Sequence, residues 1–142
     1  MTSIEEHKNK IREYLEEIED AIDQGAEKKP ATIGFHCSAC ALQLLEVYLR
    51  VTNKIPIGKI LKHDWFKKPH SYQKVEPLID KKLPLDFPKK QEIYDLIYTL
   101  EEERTSLVYG KPEKEQVKKV LSTFSNLKEL LVNLLKNENQ SV

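Results

Sequence analysis

Residues 100 to 110 read Leu-Glu-Glu-Glu-Arg-Thr-Ser-Leu-Val-Tyr-Gly, and gather Glu101, Glu102, Glu103, Arg104 and Tyr109 in one short stretch. A guanidinium can hold a phosphate through two parallel hydrogen bonds, a carboxylate can accept a proton, and a phenol can donate a hydrogen bond or stack on a base. The plainer account of the same residues is a surface ion-pair face, Glu101 or Glu103 with Arg104, closed by an aromatic ring that packs where a helix ends. Such pairs are common and contribute only about 0.3–0.5 kcal/mol each.

A second cluster is Cys37-Ser-Ala-Cys40, which lies beside His36. Its spacing suits zinc or dithiol redox chemistry, yet a redox pair usually opens a helix after a strand, and no strand pattern precedes it. A structural zinc site wants four ligands. With no other cysteine in the chain, distant His63 or His70 would have to complete the set. Packing as small buried helix residues is the competing account. His7 and His70 share no helical face with a second histidine or a cysteine at ligand spacing, and are expected at the surface. No metal and no cofactor is expected. A phosphate-cradling glycine loop is excluded, because the chain has only four glycines and they are scattered.

Long amphipathic stretches must position these groups. Ile4, Ile11, Tyr14, Leu15, Ile18 and Ile22 recur at three-, four- and seven-residue spacings and predict a first helix. Ser3 with Glu6 is a capping-box pattern at its start, and Gly25 suits a left-handed turn after its end. A second helix is predicted from about Ala31 to Asn53, with Phe35, Ala39, Leu42, Leu45 and Leu49 on one side and few charges, hence the most buried element. Asn53 and Pro56 stop it. Residues 54 to 88 hold five of the seven prolines, which excludes one long helix but permits short ones around Ile60–Phe66 and Tyr72–Lys81, with Trp65 and Phe66 pinning this connector. Asp86 and Pro88 open a helix that turns Ile93, Leu96, Ile97, Leu100 and Leu107 inward and ends at Gly110. Pro112 opens the last, with Val117, Val120, Leu121, Phe124, Leu127, Leu131 and Leu134 repeating the spacing. The polar tail, residues 137–142, is expected to fray. The prediction is one all-α domain spanning 1–142: an up-and-down antiparallel bundle of four long helices plus short connector helices.

At 142 residues the chain is long enough to bury a core without disulfides. Charged residues make up 32% of the sequence, above the usual quarter, and the excess is Lys and Glu, which fits a charged-surfaced cytoplasmic protein and hints at a hot-living source. No stretch reaches the roughly twenty apolar residues of a membrane span, and the opening MTSIEEHKNK is too polar for a signal peptide. Net charge is zero, but unevenly so: residues 54–90 carry ten basic against four acidic groups, and residues 1–29 five against nine. A global attraction to nucleic acid is therefore not predicted, although a local Lys-rich surface could touch phosphate.

The run ACALQLLEVYLRVTNKIPIGKILKHDWF, residues 39 to 66, resembles the HEPN domain pattern: an apolar helix with a glutamate and a basic residue near its end, Glu46 and Arg50, then a His-Asp pair, His63 and Asp64. A later helix closes with Arg104, four residues, and Tyr109, where that family's signature is Arg, four to six residues, His. In helix order and length the resemblance covers residues 3 to about 136. It implies a bundle that pairs with a second copy, sometimes cooperates with a small nucleotidyltransferase in toxin–antitoxin systems, and in active members cuts RNA without metal. Arginine there would hold the scissile phosphate while histidine moves a proton. Tyr109 departs from the signature, and a phenol is a poor proton acceptor near neutral pH. The resemblance thus implies, as site residues, Arg104, Tyr109 and Glu103 for chemistry and Glu101, His63, Asp64, Glu46 and Arg50 for binding. It points first to a non-catalytic or regulatory RNA- or nucleotide-associated module of archaeal type, and alternatively to a weak metal-independent ribonuclease.

Overall fold

The structure is a computed structural model that describes residues 3–56, 58–70, 72 and 74–142. These residues form α1 (Ile4–Asp23), α2 (Pro30–Val51), a short α3 (Leu78–Lys82), α4 (Lys90–Tyr109) and α5 (Lys114–Asn137), with 3-10 turns at Ala26–Lys28 and His63–Trp65 and no strand among them.

α1 starts as its sequence predicts. Ser3 Oγ accepts the Glu6 N–H at 3.1 Å and the Glu6 carboxylate accepts the Ser3 N–H at 2.9 Å, so each of these two backbone donors at the helix start is satisfied by the other residue's side chain. At the other end Gly25 takes φ +101°, which a residue with a Cβ rarely adopts. Proline at the first position of α2 has no N–H to lose there. α4 begins at Lys90, later than Pro88 suggests, after Lys89 turns through φ +63°. Similarly, α5 begins at Lys114 rather than at Pro112, where the Glu113 N–H donates to the Gln116 side chain at 2.8 Å. The connector is less helical than expected: it holds the 3-10 turn at His63–Trp65 and the five-residue α3. Gln73, inside the predicted Tyr72–Lys81 helix, lies outside the described residues.

Side-chain contacts fix the directions. His7 near the start of α1 meets Glu46 near the end of α2, and Lys8 donates to Gln140 beyond the end of α5. Ser38, early in α2, donates to Glu101, late in α4, and Glu103 on α4 pairs with Lys119, early in α5. α1 and α4 therefore run one way, α2 and α5 the other, and α2 packs against all three long partners. By length and mean hydropathy, 1.2 over its richest window, α2 would suffice to cross a membrane, but 72% of that window is buried inside the protein. Its apolar character is that of a core helix.

Gly34 permits a close approach of α2 to α4, since a Cβ there would lie 2.7 Å from the Leu107 Cβ. Two expectations need correcting. Ile22 and Phe35, both predicted inward, are 47% and 43% exposed, with Ala21 taking the core position at the end of α1. His7, predicted at the surface, is 4% exposed because its ring lies against Gln43 and Glu46. In the tail, the Gln140 N–H bonds the Leu135 carbonyl and Val142 packs against the core.

Candidate functional site

Glu46 and Arg50 decide where the connector sits. Glu46 Oε1 accepts the Leu61 N–H at 2.9 Å, and Arg50 Nη2 donates to the Lys59 carbonyl at 3.1 Å. Each therefore replaces, in a proline-rich segment, backbone pairing that a helix would have supplied. His7 Nε2 lies 2.9 Å from Glu46 Oε2, which joins α1 to the same carboxylate. Glu46 is 2% exposed and Arg50 8%, so this pair fastens residues 59–61 onto α2 and faces no open cleft. Just beyond, Trp65 and Phe66 are buried, the latter edge-on to Tyr94 at 5.5 Å, as expected of residues that pin the connector. Between these anchors His63 and Asp64 emerge on the 3-10 turn.

There they meet α4. His63 Nδ1 is 3.2 Å from Glu101 Oε2, while the other Glu101 oxygen accepts the Ser38 hydroxyl of α2. The carboxylate stands between serine and histidine, which is not the order of a Ser-His-acid triad: Ser38 has no base beside it and is 3% exposed. His63 and Asp64 divide two open clefts. One, of about 430 Å³, is lined by Phe35, Leu42, Leu61, Lys62 and Arg104 in addition to the dividing pair. The other, of about 510 Å³, takes Lys67, Lys68 and His70 from the connector and Tyr98, Glu102 and Thr105 from α4. The Arg104 guanidinium lies over the Phe35 ring, 5.8 Å from its centroid. A cation, an imidazole on a fixed carboxylate and a partly exposed ring thus face one space of nucleotide size.

Other residues implied by the resemblance fall elsewhere. Tyr109 is 77% exposed and lines neither cleft. Five residues turn a helix by about 140° beyond one full turn, so Arg104 and Tyr109 leave α4 in different directions. Glu103 is turned onto α5, where Lys119 Nζ lies 3.2 Å from one oxygen and Gln116 donates to the other at 3.2 Å. Phe35, Ser38 and Lys62 carry no sequence signal for this site. Phe35 reads as a core position, and Ser38 hides inside the Cys-x-x-Cys run.

Cys37 and Cys40 are both free and 0% exposed. Burial pushes the Cys37 thiol well above its usual range and that of Cys40 up to about 12, against a weaker opposing pull from the Lys128 ammonium. Neither is a ready thiolate. Among the described residues no three His, Cys, Asp or Glu side chains converge as a metal site.

No family model, curated protein or solved structure matches this chain.

Proposed function

We propose that the chain is a HEPN-like bundle acting as a helper or interaction module that holds single-stranded RNA, or a nucleotide, in the cleft between α2, α4 and the connector. One observation carries this reading: Arg104, Lys62 and the Phe35 ring border the same open cleft. Cations suit phosphate oxygens and a ring face suits a base, in any sequence. Asp64 in the same wall offers acceptors for base amino groups. Because the chain carries no net charge, the attraction is local. Two phosphate-facing cations imply that log K falls with log salt with a slope of about −1.4. Fluorescence anisotropy with a labelled single-stranded RNA tests it. Arg104→Ala is expected to weaken binding about tenfold, the loss of one charge-assisted contact, at unchanged helix content. Equal affinity of the two proteins would refute the reading.

The resemblance adds two proposed partners, a second copy of the chain and a small nucleotidyltransferase. Most of α2 already packs against α1, α4 and α5, so its buried face does not supply a dimer contact. Light scattering at micromolar concentration reports it, and a monomer there would exclude a tight dimer.

A second reading, a metal-independent ribonuclease, is favoured by the presence of an imidazole and a guanidinium on one cleft. It does not need Tyr109. Cutting of single-stranded RNA with a chelator present, abolished by Arg104→Ala, is the expected result; activity that survives the substitution would mark a contaminant.

A further inference from the structure

We propose that His63 is the proton acceptor of the cleft and that Glu101 is the residue that positions it, for the attack by the ribose 2′-hydroxyl that the resemblance implies. This rests on the ribonuclease reading and assigns its parts to residues other than the Arg and Tyr of the signature.

Glu101 is held from two elements at once. Its side chain is 10% exposed; one oxygen takes the Ser38 hydroxyl from α2 and the other lies 3.2 Å from His63 Nδ1 on the connector. The His63 side chain, by contrast, is 53% exposed. A carboxylate fixed in this way keeps the proton on Nδ1, so that Nε2, with no hydrogen bond among the described residues, presents its lone pair. The charged and titratable groups lining the two clefts that His63 divides are Lys62, Asp64, Lys67, Lys68 and His70 from the connector and Glu101, Glu102 and Arg104 from α4.

Most other acceptors and nucleophiles are spoken for; Asp64, which also borders the cleft, is the exception, and the His63→Ala variant separates the two. Glu103 is bonded to Lys119 and Gln116, Tyr109 lines neither cleft, and both cysteines are sealed in the core. Ser38 has given its hydroxyl to Glu101. No free side-chain hydroxyl or thiol lines the Arg104 cleft among the described residues, and the resemblance implies that the attacking oxygen is the ligand's own 2′-hydroxyl. A hydroxyl held next to the phosphorus has the advantage of proximity. His63 Nε2 removes the 2′-hydroxyl proton as the 2′-oxygen bonds to phosphorus and the bond from phosphorus to the 5′-oxygen breaks. Arg104 neutralises charge on the phosphoryl oxygens. The leaving 5′-oxygen takes a proton from solvent water, and the hydroxide so formed recovers the proton from His63. The products are a 2′,3′-cyclic phosphate and a 5′-hydroxyl, and the protein is unchanged.

The test uses the full chain with a twelve-nucleotide single-stranded RNA and its DNA counterpart, a chelator present, with binding and cutting measured separately. Both strands are expected to bind, and only the RNA to be cut. His63→Ala should lower the cutting rate at least a hundredfold while binding stays within threefold, with partial rescue by added imidazole. Glu101→Gln, which can still accept from Ser38, should lower kcat at constant KM and move the His63 proton from Nδ1 to Nε2, a switch read in ¹⁵N NMR shifts. RNA bound but uncut by the unaltered protein overturns the proposal and leaves the binding reading standing; absence of binding overturns both. Cutting that survives His63→Ala removes His63 from the chemistry, and a tautomer indifferent to Glu101→Gln removes Glu101 from positioning.

Discussion

Glu101 and Glu103 stand two residues apart on α4 and end in opposite surroundings. At about 100° per residue they diverge by more than half a turn, so Glu101 meets Ser38 and His63 while Glu103 meets Lys119 and Gln116. Glu103→Gln should therefore leave RNA affinity unchanged and cost no more than about 1 kcal/mol of stability, as for a partly exposed pair. A clear loss of affinity in the same anisotropy titration would place Glu103 at the site after all. The sequence supplies the acidic cluster and the arginine but not this division, since the partners lie between 13 and 63 residues away. The same limit applies to Tyr109. A signature spacing places it near Arg104 along the chain, whereas the helical turn sends it to solvent at 77% exposure, and His63, from a segment without periodicity, takes the place in the cleft.

Elements are where the sequence is most legible, wherever a local rule decides the outcome. The Ser3–Glu6 cap, the positive φ at Gly25 and the inward Ile93, Ile97 and Leu100 of α4 all follow from neighbours within a turn or two. The connector is less legible, because prolines say only what it is not; its course is set by Glu46 and Arg50, which accept from and donate to its backbone. Glu46→Ala should thus be costly, about 3 kcal/mol or more, because it leaves Arg50, His7 and the Leu61 N–H without their buried carboxylate. Urea denaturation reads the change, and a loss below about 1 kcal/mol would show that the network does not fasten the connector. Gly34→Ala tests the α2–α4 contact in the same way. Helix propensity alone favours alanine by about 1 kcal/mol, but the new Cβ would sit 2.7 Å from that of Leu107, and overpacking of about 1–3 kcal/mol should outweigh the gain. A more stable variant would mean that the two helices are free to part.

For the whole molecule, the all-α class is legible because four amphipathic stripes and a nearly uncharged α2 admit few other solutions; which face of each stripe would open into a cleft is not. Phe35 shows why. Its spacing matches the core, yet it is 43% exposed, with the Arg104 guanidinium over its ring. The interior itself predicts a response to alkali. Burial raises Cys37 and Tyr94 and moves Cys40 up to about 12 from 9.0, so the folded chain keeps protons that the unfolded chain releases. Their contribution is complete below about pH 9 and is lost as pH rises towards 12. The urea midpoint should fall steadily across that window, and a flat profile would show the thiols to be solvated. The central claim, however, is that α2, α4 and the connector enclose one ligand site. Titrating single-stranded RNA into ¹⁵N-labelled protein tests it most directly: amide shifts should concentrate at Phe35, Lys62, His63 and Arg104 and leave Tyr109 and α1 still, whereas shifts centred on Tyr109, or none at saturating RNA, would contradict it.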